Sequence, residues 1–318
     1  MGPIARIVVV MFAVCAASAG VARGQAPLWI LYVGNSYTFT YNIPQQVSAL
    51  AVDAGFAAPF YGDLSQPSWF LSTHRNDSVT LSVIDQYTFD VVVLQEQSQR
   101  PTNPYNPAQF KADAAWLYDR IKAKSPNAKI VLYETWARAA GDALYPSTYA
   151  TPAEMQSQLR FHYNDAAFNY IPTHVAAARK NDVEVARVGD AWELELDSFA
   201  IPLHDADRSH PNFEGSYLAA LMLFSTIYDV RRTAGLDPLG RDPATAAALQ
   251  SVADAVVPEP SGLAVAAVAI LAARRTRRGK KKDKGSRRRL QRTGRERYFE
   301  PRAGCATADR LQLSSPWP

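Results

Sequence analysis

One stretch limits the folds open to this chain more than any other. Leu28-Trp29-Ile30-Leu31-Tyr32-Val33 is an unbroken apolar run that stops at Gly34-Asn35-Ser36. A run of that length, rich in aliphatic and aromatic residues, reads as a strand buried on both faces of a sheet. Phe89-Asp90-Val91-Val92-Val93-Leu94-Gln95 repeats the pattern, again with its polar residues at the far end. Lys129 to Glu134 and Val183 to Val188 give two further strands, and Phe56 to Tyr61 a weaker one. Helix signals alternate with them. Pro44 suits the first turn of a helix to about Ala54, and Asn106-Pro107-Ala108-Gln109 opens one to about Lys124. Thr151-Pro152-Ala153-Glu154 opens another toward Lys180, broken near Pro172, and Asn212 caps an apolar helix through about Tyr228. The alternation predicts an α/β chain, a three-layer α/β/α sandwich with a central parallel sheet of about five strands and right-handed crossovers.

The ends of the 318-residue chain differ from its middle. Residues 1–24 have Arg6, an apolar stretch from Ile7 to about Ala17 and then small residues, the pattern of an export signal peptide. The formal charge of +4 misleads about the body. From Arg274 onward lie 16 of the 34 basic residues but only 4 of the 30 acidic ones, which leaves 18 basic against 26 acidic before it. An acidic body is a poor nucleic-acid binder, so that partner is excluded for it. Cys15 and Cys305 stand in the two end segments, so no disulfide can form within the body. The expected domain covers 27–235, followed by a linker over 236–256, an apolar anchor segment within 257–278 and a basic, disordered tail over 279–318.

Gly34 permits a sharp turn where the first strand stops, so Ser36 sits in the crevice beyond a strand's carboxyl end, where open α/β sheets place ligands. Taken alone it could equally cap a helix. Asp207 and His210 stand three apart in a turn just before the last apolar helix, a spacing at which a carboxylate can hold one imidazole nitrogen and leave the other free to take a proton. Tyr37, Trp69 and Trp136 fall on loops at the same edge, where they could line a substrate or pack in the core. His204, Asp205, Asp207 and His210 lack HExxH-like or cysteine-based spacing, so neither metal nor organic cofactor is expected.

Together, Gly34-Asn35-Ser36 and Asp207-Arg208-Ser209-His210-Pro211 resemble the first and last blocks of the SGNH (GDSL-like) hydrolases. Gly34 to Thr38, Gln95-Glu96-Gln97-Ser98 and Thr135-Trp136-Ala137-Arg138 sharpen the resemblance to a bacterial branch of that superfamily, over residues 28 to about 230. It implies a flavodoxin-like sandwich with Ser36 as nucleophile, His210 as general base and Asp207 as its orienting acid. It also implies an oxyanion hole from the amides of Ser36 and Ser68 and the side chain of Gln97, with Tyr37, Trp69, Gln95 and Trp136 lining the substrate. The chain departs from the pattern at Gln66-Pro67-Ser68-Trp69, where related chains tend to show paired glycines: Pro67 has no N–H and Ser68 lacks glycine's freedom.

Val257-Pro258-Glu259-Pro260, an apolar segment from about Gly262 to Ala273 and Arg274-Arg275 resemble a PEP-CTERM sorting signal. That resemblance implies export, a transient transmembrane helix, processing by signal peptidase and an exosortase-type enzyme, and delivery to the cell envelope or beyond. The expected activity is an exported serine esterase acting on a small-molecule or polysaccharide ester through an acyl-enzyme. An acyltransferase on the same triad, or a non-catalytic surface binding protein on a degenerate scaffold, stays open.

Overall fold

Ile30 and Tyr32 pack into one hydrophobic core while Leu31 and Val33, their neighbours in sequence, pack into another, which is why the first strand is apolar throughout. The computed structural model describes residues 26–175 and 182–257. In chain order the elements are β1 (Trp29–Val33), α1 (Ser36–Phe39), α2 (Ile43–Asp53), β2 (Phe60–Asp63), α3 (Leu71–His74), α4 (Ser78–Gln86), β3 (Val91–Leu94), α5 (Pro107–Lys124), β4 (Lys129–Tyr133), α6 (Pro152–Asp165), α7 (Ile171–His174), β5 (Val183–Ala186), α8 (Val188–Ser198), α9 (Phe213–Tyr228) and α10 (Pro243–Val256).

The strands form one parallel five-stranded sheet in the order β2-β1-β3-β4-β5. Helices α2, α8, α9 and α10 contribute to the core on one face, and α3 to α7 to the core on the other. The expected α/β/α sandwich with its parallel sheet is therefore the observed fold. Strand order reverses between β1 and β3, so a crevice opens beyond their carboxyl ends, at Gly34 to Ser36 and Gln95 to Ser98.

Two segments differ from the sequence reading, and a third meets it in a particular form. The expected linker over 236–256 carries α10, capped by the Asp242 side chain, with Ala246, Leu249, Val252 and Ala253 buried in the α9 core. Buried Arg241 fastens its approach, donating to the Phe213 carbonyl, the Gln46 amide oxygen and the Ser216 hydroxyl. The stretch after β5, where no helix was expected, is α8. It starts with only Arg187 between strand and helix, and Arg187 makes no side-chain cap, so the usual start signal is missing. The break foreseen near Pro172 appears as a π-helical turn over Ala166–Tyr170. It lies just before Pro172, whose missing N–H and bulky ring disfavour regular i→i−4 bonding.

Among the described residues no helix is long and apolar enough to cross a membrane. The export signal, the apolar segment from Gly262 to Ala273, the arginines and the basic tail lie outside the described residues.

Candidate active site

Asn35 begins the site because it does three jobs in the turn after β1. Its backbone N–H donates to Gln95 Oε1 at 2.8 Å, its Oδ1 caps α1 by accepting from the Tyr37 N–H at 3.1 Å, and its Nδ2 donates to the Trp69 carbonyl at 2.9 Å. Gln95 Oε1 also accepts from Thr38 Oγ1 at 3.0 Å. Gly34 is required here by crowding: a Cβ at this position would stand 2.7 Å from both Gln95 Oε1 and Thr38 Oγ1. The reason for the glycine is thus close approach, where a sharp turn was expected. His74, fully buried, donates its Nε2–H to the Gly34 carbonyl at 2.8 Å, and burial pushes its pKa below the usual range.

The opposite side of the site is the turn ahead of α9. Arg208 takes a positive φ of 60°, and Asp207 Oδ1 accepts the backbone N–H groups of Ser209 and His210, each at 2.9 Å. This places the imidazole. Its Nδ1 bonds to Asp207 Oδ2, and its Nε2 meets Ser36 Oγ at 2.8 Å, across 174 positions of sequence. Burial tends to raise the Asp207 pKa, but the bonds from the His210 side chain and from the two backbone N–H groups outweigh it and bring the carboxyl down to about 2. A serine hydroxyl, an imidazole and an ionised carboxylate therefore stand in one hydrogen-bonded chain, an arrangement able to draw the serine proton onto nitrogen.

Not every expected site residue faces that chain. Tyr37 and Trp136 are buried, and stack face to face at 4.6 Å, with Trp136 stacked in turn on Trp192 at 3.9 Å. They hold up the imidazole turn: Tyr37 OH bonds to Ser209 Oγ at 2.8 Å and Trp136 Nε1 donates to the Ser209 carbonyl at 3.0 Å. Gln95 is also interior, with its carboxamide used up by Asn35, Thr38 and the Glu96 carbonyl. The expectation that these three line the substrate is corrected to a supporting role, because their polar atoms and ring faces are already taken by protein. Trp69 is half-buried, its ring 4.9 Å from that of His74.

The second block closes its turn without a glycine. Trp69 N–H donates to the Gln66 carbonyl at 3.2 Å, closing a turn with Pro67 second and Ser68 third at a φ of 62°. A positive φ at the third position, usually a glycine's place, is adopted here by serine itself. In the third block, Gln97 Oε1 caps its own loop, accepting from the N–H groups of Gln99 and Arg100 at 2.9 and 3.1 Å. Its Nε2 makes only long contacts of 3.4 Å.

Sequence reasoning passed over Glu96. One carboxyl oxygen accepts from the N–H of Leu71 at 3.2 Å and of Gln97 at 2.7 Å, tying the second block to the third, while the other is buried without a partner. Burial, only partly offset by those two bonds and by Arg100, pushes its pKa up to about 8. The signal available was an acid placed two residues after an all-apolar strand.

The fold defines a class, the SGNH-hydrolase-like sandwich, and solved structures similar to this chain share it. One, a protein from Slackia heliotrinireducens provisionally assigned to the SGNH hydrolases, is 25% identical, with a TM-score of 0.52 over 64% of this chain and 100% of that one. A DUF4886 family protein from Bacteroides uniformis is 17% identical, with a TM-score of 0.59 over 74% of this chain and 97% of that one, and shows the shared fold. No family model matches the chain, and no curated protein matches it. The likeness supports a hydrolase of the SGNH/GDSL-like superfamily.

Proposed function

We propose that the protein is an exported serine esterase that works through an acyl-enzyme. The observation that carries this reading is the 2.8 Å contact between Ser36 Oγ and His210 Nε2, with Asp207 bonded to the far nitrogen of the same ring. In the proposed reaction His210 Nε2 takes the Ser36 proton as Oγ attacks the ester carbonyl. The tetrahedral oxyanion is met by the N–H groups of Ser36 and Ser68 and by Gln97 Nε2. His210 then returns the proton to the departing alcohol oxygen. A water, deprotonated by the same nitrogen, attacks the acyl-enzyme and frees the acid. Each oxyanion donor would contribute on the order of 3 kcal/mol. The positive φ of Ser68 and the loosely engaged Gln97 amide both support that hole. Acyl or acetyl groups on carbohydrate, and processing at both ends to reach the cell envelope or its surroundings, complete the proposal.

A fluorophosphonate probe tests it. The purified protein should be labelled, Ser36→Ala should abolish labelling, and aryl-ester turnover should fall by ~10⁴ or more. A folded protein whose Ser36 stays unlabelled would overturn the reading and favour a binding role.

A further inference from the structure

The arginines of the described residues differ in what they hold. Arg75, Arg120, Arg160 and Arg187 each hold a carboxylate: Asp113, Asp85, Asp190 with Glu193, and Asp190. Arg100 and Arg138 hold none within ion-pair distance among the described residues, and each keeps a buried Nε without a hydrogen-bond partner, as the paired Arg187 also does; Arg208 and Arg241, likewise without a carboxylate, donate to backbone carbonyls instead.

Both border the loop after β3. Arg138 donates from Nη2 to Ser98 Oγ at 3.1 Å, and its guanidinium carbon lies 6.0 Å from the ring centre of Tyr37, the residue next to Ser36. The His210 ring centre is 5.4 Å from the same Tyr37 ring. Imidazole and guanidinium are therefore separated by no more than those two spans together, short enough for one ester substrate to bridge. Arg100 lies over the Phe70 ring at 4.6 Å, beside the second block. Glu96, which feels its charge, is pushed up to about 8 by burial and so offers no counter-ion near neutral pH. A partly buried guanidinium without an anion forgoes the pairing that offsets its desolvation, and its planar fork matches a carboxylate in geometry. Counter-ions are not scarce, since the chain before Arg274 carries 26 acidic residues against 18 basic ones.

We infer that Arg138, assisted by Arg100, forms an anion subsite beside Ser36 that recognises a carboxylate carried by the ester substrate. This rests on the serine-esterase reading and narrows its substrates to acidic esters. The carboxylate could sit on the acyl part, as in a hemiester of a dicarboxylic acid, or on the alcohol part, as in an acylated uronic acid.

The test compares kcat/KM on two matched pairs: monoethyl succinate against ethyl pentanoate, and acetylated galacturonate against acetylated galactose. The acidic member of at least one pair should be preferred tenfold or more, the preference should weaken with added salt, and Arg138→Gln should erase it. The pair that responds identifies where the charge sits. No preference in either pair, or one that survives Arg138→Gln, overturns the subsite. Arg138→Lys, which keeps the charge, should retain part of the preference. Equal loss in both variants with lowered melting temperatures would make Arg138 structural and also overturn it. If Ser36 fails to react with fluorophosphonate, the esterase reading falls alone. Calorimetry with succinate and galacturonate on the full chain then decides the subsite: binding lost in Arg138→Gln supports it, and absence of binding sinks it.

Discussion

The two sides of the site are built in opposite ways. Around Ser36 the supporting polar groups are interior: Asn35, Thr38, His74 and Gln95 are at most 3% exposed, and each is bonded to protein. Around His210 they are at the surface, with the imidazole 35% and the Asp207 carboxylate 48% exposed. One side is held by buried hydrogen bonds that leave no room for another atom, the other by a turn leaning on an aromatic stack. In the proposed mechanism a nucleophile has to be fixed against the oxyanion donors, whereas a base has to swing a proton between serine, alcohol and water. Rigidity on one side and access on the other suit those tasks. The same contrast decides what each change should cost.

The largest expected effect is on activity alone. Asp207→Asn keeps Oδ1 to accept from Ser209 and His210 but replaces the anion that faces Nδ1. Ester turnover should drop by ~10³–10⁴ while the melting temperature barely moves, as for a surface substitution. Thermal melts and initial rates on one preparation check both halves. A drop in stability comparable to that of an interior change would erase the distinction between the two sides.

What could be read from sequence follows the same divide. Two-sided burial of β1 and β3 was legible because apolar runs carry no period, and the caps at Asn106, Thr151 and Asn212 announced their helices. The turns that carry Ser36 and the Asp207–His210 pair were legible because spacing within a turn is local, whereas the 2.8 Å contact between them, across 174 positions, was expected only through the resemblance. Tyr37, Gln95 and Trp136 were misjudged as ligand-facing, since whether a loop aromatic or amide turns inward depends on what arrives from other strands. Ser209 supplies that partner for Tyr37 from 172 positions away. α10 hid behind a polar approach, although Asp242-Pro243 is the same capping signature trusted elsewhere. Glu96 stayed invisible because a buried acid differs from an exposed one only by its tertiary surroundings.

The two carboxyls also oppose each other in pH. Asp207 is depressed to about 2, so its contribution to stability is present above its ordinary 3.8 and is lost as pH falls through 2; its exposure keeps that contribution small. Glu96 is raised from 4.5 to about 8. Between those values the unfolded chain has released a proton that the folded one retains, so stability falls as pH rises, and the loss levels off above the folded value. Glu96→Gln mimics the protonated acid and removes that slope. Its advantage over the natural protein in denaturant titrations should grow from pH 4.5 upward and reach on the order of 3 kcal/mol near pH 7. A gap independent of pH would mean that Glu96 is ionised where it sits. Next in size is Gly34→Ala, whose new Cβ 2.7 Å from two oxygens should cost about 2 kcal/mol and reduce activity with it.

The smallest effect probes the join between the sides. Ser209→Ala removes one partner of the buried Tyr37 hydroxyl, at a cost of about 1 kcal/mol. Tyr37→Phe removes the other half of the same bond. If the aromatic stack positions the imidazole turn through this contact, each change should lower kcat a few-fold, and the double variant should fall little further, because the second change deletes a bond already gone. Fully additive losses would mean that Asp207's grip on the two backbone N–H groups is enough to place His210, and that the stack serves only the core. That outcome would make the exposed side self-contained, and the contrast with the interlocked interior around Ser36 would sharpen.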